Sequence, residues 1–321
     1  MASDPSADAE AKKRRNLAWA AGFFDGEGWA NATGSRRRRA KQPQAKINQA
    51  SADVVPEVLV RFRDAVGVGR IGGPELKENR QPLYRWVASS RGYIARTFDL
   101  LRPWLGVVKR AEFARALGTS AGGDPIATVV SSDERAWAAG LFDGEGWTGL
   151  EKHRSHAGYF VLEMALTQSS SASAVPQVLE RFIRVVRCGR VYGPYGGGAG
   201  NRVFRWRTFG LDNVQVAMHA LLPWLGQVKR RQACAACATF IAQPSLPRGN
   251  PAWGAYKTRC VNGHEYASAR VRPYRPRSEG GRPWRPSKQC LVCTREQARM
   301  RRAAQPNADY FFSKYARLSS V

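Results

Sequence analysis

The sequence predicts an α+β fold built from one unit used twice, with a small basic appendage behind it. Three observations carry that reading. A stretch running Ala18-Trp19-Ala20-Ala21-Gly22-Phe23-Phe24-Asp25-Gly26-Glu27-Gly28-Trp29 returns almost intact as Ala136-Trp137-Ala138-Ala139-Gly140-Leu141-Phe142-Asp143-Gly144-Glu145-Gly146-Trp147. Later landmarks stay collinear: Trp19 and Glu27 map to Trp137 and Glu145 at an offset of 118, while Pro56, Phe62 and Pro74 map to Pro176, Phe182 and Pro194 at 120. Composition then changes, for residues 243–321 hold 16 Lys/Arg against 4 Asp/Glu. The chain therefore divides into a leader (1–15), a first unit (16–122), a second unit (123–242), and a linker with a basic module (243–321).

Each unit reads as helix, two strands, helix, two strands, helix, and pairing of the units gives a monomer with internal pseudo-two-fold symmetry. The leader ends in Lys12-Lys13-Arg14-Arg15 and is expected to be disordered or to touch phosphate. The opening helix is rich in Ala and Gly, which lets a second backbone approach closely, and Gly-Glu-Gly is expected to stop it. Residues 159–168 have the apolar content and length of a strand, and 175–184 have helical spacing. A Gly-bounded turn over 189–200 is expected to precede a strand at 202–208, and Pro103 and Pro223 to open the last helix of each unit.

Lys and Arg number 51 against 25 Asp and Glu, a formal net charge of +26. Self-repulsion of that size is most simply explained by a polyanionic partner, with nucleic acid first. A membrane partner is not expected, because the chain has no apolar run near 18 residues and no long basic amphipathic helix. The acidic, Ala/Ser-rich start does not resemble a signal peptide, so a cytoplasmic location in a bacterial or phage-infected cell is expected. Six Cys in a reducing compartment point to metal ligands or core residues before disulfides.

Two such helices packed side by side would bring Glu27 and Glu145 together. Like charges at a buried edge are costly unless a cation lies between them, so the pair is a candidate divalent-metal site. A helix-ending turn with solvated acids would explain one copy, but recurrence of the whole stretch favours the site. Asp25 and Asp143, two residues earlier, point away from the acids and are expected to bond backbone groups near the interface. Trp19, Trp29, Trp137 and Trp147 are expected in the core. Arg36, Arg37, Arg38 and Arg39 fall where the first strand pair should turn, which suits phosphate contact and some reading of guanine.

These residues resemble the LAGLIDADG homing endonucleases in their monomeric two-motif form, over roughly residues 17–240. The carriers are the two stretches 21–28 and 139–146, the strand-ending glutamines, the Gly-Val-Gly-Arg-Ile run at 67–71, and a Lys after the last proline. The resemblance implies αββαββα units whose sheets form a saddle over double-stranded DNA. It implies site-specific double-strand cleavage with two or more Mg²⁺ held by Glu27 and Glu145 beside Gly26 and Gly144, helped by Gln49, Gln168, Lys109 and Lys229 around the metals. Glu replaces the commoner Asp at the acid position. Arg70, Arg85, Arg190, Arg205 and Arg207 are further expected DNA contacts.

A DNA- or RNA-binding protein on the same scaffold, an intron maturase or a regulator, is the competing reading. Glutamate in both copies argues for the enzyme. A transposon-associated or restriction-type nuclease would share its chemistry.

In the tail, Cys260-x3-His264 and Cys290-x2-Cys293 form a Cys₃His set at zinc spacing, expected to hold one structural Zn²⁺. The set resembles small modules appended to phage and bacterial endonucleases. Cys234-x2-Cys237 is a rival pair, but the offset places it on apolar helix positions, so both are expected in the core.

Overall fold

The computed structural model describes residues 5–33, 42–52, 54–122, 130–152, 160–197 and 201–242, together with His264, 270–271, 288–289, 292–293, 295–296 and 298–299. The chain separates into two compact units, Met1–Gln243 and Pro244–Val321.

The larger unit holds the repeat. Its first half runs α1 (Pro5–Glu27), β1 (Gly28–Thr33), β2 (Gln42–Ala50), α2 (Glu57–Val66), β3 (Arg70–Glu75), β4 (Leu83–Ala88), α3 (Arg91–Leu101) and α4 (Val107–Leu117). The second runs α5 (Ser132–Glu145), β5 (Gly146–Lys152), β6 (Phe160–Ser170), α6 (Gln177–Val186), β7 (Arg190–Gly196), β8 (Arg202–Phe209), α7 (Leu211–Leu221) and α8 (Gln227–Ala242). The strands make two four-stranded antiparallel sheets of order β1-β2-β4-β3 and β5-β6-β8-β7.

The α+β class and the duplication are as the sequence predicts, with four differences of detail. The leader is helical from Pro5, continuing α1, because its Ala, Glu and Lys residues are good helix formers and Arg14 is tied to Asp133 of α5 at 2.8 Å. Each unit ends in two helices: Pro103 and Pro223 lie in the turn between them, so the last helix begins at Val107 or Gln227. The expected turn over 189–200 contains β7, whose Gly and Pro residues sit in an exposed strand with a register shift between Tyr192 and Tyr195. Cys234, expected in the core, is exposed, and Cys237 is only half-buried against it.

The repeated helices α1 and α5 pack at the centre of the unit. A Cβ on Gly22 would lie 1.9 Å from the Trp137 carbonyl oxygen, and one on Gly140 would lie 1.9 Å from that of Trp19. Only glycine admits this approach. The glycines after the acids have another reason: Gly146 has φ −80°, an ordinary extended value, so it does not stop the helix through a left-handed turn. A Cβ there would meet the Phe142 ring at 2.4 Å, and one on Gly28 would meet Phe24 at 2.4 Å. Each helix thus runs straight into the first strand of its sheet.

The sheets bury one face on the helices. Along β4, Tyr84, Trp86 and Ala88 are buried, and along β8, Phe204, Trp206 and Thr208 are. Trp86 meets Phe62 edge-on at 4.8 Å and Trp206 meets Phe182 edge-on at 4.9 Å, contacts worth about 0.5–1.5 kcal/mol beyond area burial. Each indole also donates to a carbonyl, Val68 at 3.0 Å and Cys188 at 2.9 Å, which satisfies its one polar atom.

Candidate active site

Glu27 and Glu145 occupy the last helical positions of α1 and α5, so the central packing decides where they go. A Cβ on Gly26 would lie 3.1 Å from Glu145 Cγ, and one on Gly144 would lie 2.9 Å from Glu27 Cγ. Each acid therefore lies over the glycine preceding the other acid, which brings the two candidates together. Burial first, then the charge of Glu27, pushes the Glu145 carboxyl up to about 7 against the pull of Lys229 and Lys109. Burial also raises Glu27, opposed by a hydrogen bond from Gln49 and by Lys229. Two half-buried carboxylates, one of them raised by the charge of the other, offer hard oxygen donors side by side, which fits a divalent cation such as Mg²⁺.

The four supporting candidates converge on the same place, but unequally. Gln49 reaches Glu27, whereas Gln168 Nε2 is buried with no hydrogen-bond partner among the described residues. Gln168 lines a cavity of about 610 Å³ with Gly26, Lys109, Glu112 and Glu145, which places the residue beside the acids. Lys229 donates to the Gly146 carbonyl and lies in the field of Asp143, Glu27 and Glu145, while burial lowers its pKa. Lys109 instead pairs with Glu112 at 2.9 Å, and the other Glu112 oxygen accepts from the Ala30 N–H at 3.2 Å. The corresponding residue of the second unit, at the offset of 120, is Gln232. Glu112 was missed in the sequence; its signal there is an acid three residues after the candidate lysine in one copy only.

Asp25 and Asp143 are structural, as their position before the acids suggests. Asp25 accepts from the Gly106 N–H at 2.9 Å and the Trp137 indole at 2.8 Å; Asp143 accepts from Gly226 at 2.8 Å and Trp19 at 2.8 Å. Trp19 and Trp137 are fully buried. Trp147, by contrast, is 37% exposed and Trp29 half-buried beneath Lys46 at 4.5 Å, because each follows the strand's first glycine and points to the face away from the helices.

That outer face carries the described candidate arginines. Arg70, Arg190 and Arg205 are exposed, and Arg205 bonds Thr167 Oγ1 at 3.3 Å. Arg85 is engaged by Glu75 at 2.9 and 3.1 Å and by Asn48 at 2.8 Å. Arg207 is clamped by the buried Glu163, which raises its pKa further. Arg36, Arg37, Arg38 and Arg39 lie outside the described residues.

In the tail, Cys260 and Cys290 also lie outside the described residues. The other two members of the set meet, His264 Nδ1 lying 3.2 Å from Cys293 Sγ. Glu296, which sequence spacing does not single out, offers an oxygen within 4.8 Å of both.

No protein-family model and no curated protein matches the chain. Among solved structures, it is similar to the LAGLIDADG meganuclease I-AabMI bound to uncleaved DNA, with a TM-score of 0.52 and 16% identity over 70% of this chain and 90% of that one. It is also similar to the LAGLIDADG meganuclease I-CpaMI bound to uncleaved DNA, with a TM-score of 0.50 and 9% identity over the same shares of the two chains. These likenesses show the fold: two pseudo-symmetric units, each with a four-stranded antiparallel sheet. No described helix is long and apolar enough to cross a membrane.

Proposed function

We propose that the protein is a divalent-metal-dependent, site-specific endonuclease of double-stranded DNA, of the homing type. The observation that supports this most strongly is the crossing of Glu27 and Glu145 over Gly144 and Gly26, an arrangement that would offer one acid to each strand of a duplex lying on the internal two-fold. Glutamate in both copies, a net charge of +26 and exposed arginines on the outer sheet faces support DNA as the substrate.

Glu27 and Glu145 would hold Mg²⁺ with the backbone oxygens of Gly26 and Gly144. Bound there, the metal supplies Lewis-acid activation of water and charge neutralisation at the phosphodiester. The chain's own groups do the rest: Gln49 and Gln168 orient water, and Lys229 and Lys109 place positive charge near the phosphate oxygens. The tail is read as a module folded around one Zn²⁺ by Cys260, His264, Cys290 and Cys293, adding cationic surface for DNA.

The test begins with selection of a cleaved target from a random duplex library in Mg²⁺. Glu27→Gln and Glu145→Gln should each keep binding and should nick one strand or none. Full double-strand cutting by either variant would overturn the assignment.

A further inference from the structure

The two halves differ at a buried arginine far from the acids. In the second half, Arg181 lies over the Trp137 ring at 3.8 Å, donates to the Trp104 carbonyl of the first half, and grips the Glu134 carboxylate with Nε at 2.8 Å and Nη2 at 2.5 Å. Both side chains are almost wholly buried. The first half repeats the arrangement up to the last partner. Arg61 lies over the Trp19 ring at 3.9 Å and donates Nη1 to the Trp224 carbonyl of the second half at 2.7 Å. At the offset of 118 that relates Trp19 to Trp137, the position of Glu134 is taken by Asn16.

Asparagine supplies no carboxylate, and among the described residues Arg61 Nε and Nη2 have no hydrogen-bond partner. Beside this space lies an open groove of about 660 Å³ whose lining includes Lys12, Lys13, Asn16, Val60 and Arg61. Two acids also line it, and both are engaged: Glu57 accepts from the Gln227 N–H at 3.0 Å and Asp64 pairs with Arg63 at 2.7 Å. A guanidinium fork with two unused donors matches a single carboxylate.

We infer that the first half carries a binding site for a small monocarboxylate, which takes on Arg61 the place that Glu134 takes on Arg181. The site lies on the far part of α1, Asn16 being eleven residues and ~16 Å along the helix from Glu27, so it is separate from the acids. Because Arg61 also bonds Trp224, occupancy would brace the two halves against each other.

The full chain is titrated with butyrate, with inorganic phosphate and chloride at matched ionic strength as comparison anions, and followed by thermal unfolding and calorimetry. Butyrate should bind at one site per chain and raise Tm by about 3 °C at ten times its Kd, beyond the effect of chloride. Asn16→Glu should fill the slot from within, raising Tm without ligand and abolishing the butyrate shift. Arg61→Lys, which keeps the charge but loses the fork, should lose the shift as well, and it serves if Asn16→Glu does not fold. Glu134→Asn, which copies the residue of the first half, should destabilise the protein by leaving the buried Arg181 without its carboxylate. The inference fails if butyrate acts no differently from chloride, if phosphate matches it, or if its effect survives in Asn16→Glu or Arg61→Lys. None of these readouts involves DNA cleavage, so the result is independent of the proposed function.

Discussion

Trp19 of the first half donates its indole N–H to the Asp143 carboxylate of the second at 2.8 Å, and Trp137 returns the same bond to Asp25 at 2.8 Å. The same carboxylates accept from the backbone N–H of Gly226 and Gly106, which immediately precede the last helix of each unit. One buried acid per half thus ties the central helix, its partner and the final helix together.

That arrangement has a pH signature. Burial raises Asp25 and Asp143 to about 6, against an ordinary value of 3.8. The folded state therefore holds the proton more tightly than the unfolded state. The associated stability is fully present below 3.8 and is lost as pH rises through about 6. Asp143→Asn removes this titration, so wild type should gain on the variant by up to about 3 kcal/mol as pH falls from 7 to 4. Denaturant unfolding of both proteins across that range checks it; a constant difference would show that the carboxyl is not raised.

Gly22→Ala should be among the most damaging small substitutions. The added methyl meets the Trp137 carbonyl oxygen 1.9 Å away, and backbone cannot yield as a side-chain tip can. Overpacking of this kind costs about 1–3 kcal/mol or more. The helices must also separate, which moves Glu27 from Glu145, so cleavage should fall by more than DNA affinity. Gly140→Ala should behave alike, whereas Gly92→Ala, where a Cβ meets nothing within 4 Å, should be tolerated.

The unequal lysines predict unequal strands. Lys109 is held by Glu112 while Lys229 has Gln232 at the matching position, so the strand served by Lys229 should be cut first. Glu112→Gln should release Lys109 and narrow the gap between the two rates several-fold. Time courses on a duplex labelled at either end would show it. An unchanged strand order and ratio would mean that the ion pair does not restrain Lys109.

The tail should carry one zinc ion per chain by elemental analysis, and Cys290→Ser combined with Cys293→Ser should remove it. Structural zinc contributes on the order of 10 kcal/mol to the folding of such modules, so loss should make the tail sensitive to protease. Glu296→Gln should leave zinc bound if the Cys₃His set is complete. Stoichiometric zinc in the double variant would refute the set.

Much of this was legible in the residues because duplication is a pattern that sequence preserves directly. The repeat, the small-residue helices and the pairing of Glu27 with Glu145 follow from twelve positions recurring in order, and the role of Asp25 follows from helical spacing. What the sequence left undecided depends on partners distant in the chain. Gly28 and Gly146 looked like helix stops, but their lack of a side chain makes room for Phe24 and Phe142. Arg207 is an expected phosphate contact, and the fold adds the buried Glu163 against it, a partner 44 residues away in the chain. Trp147 looked like core, and strand alternation turned it outward. The diversion of Lys109 to Glu112 and the unfilled place beside Arg61 are likewise products of packing. Each is decided by which atoms the tertiary fold brings within hydrogen-bond reach, and two nearly identical stretches of sequence do not reveal that their surroundings differ.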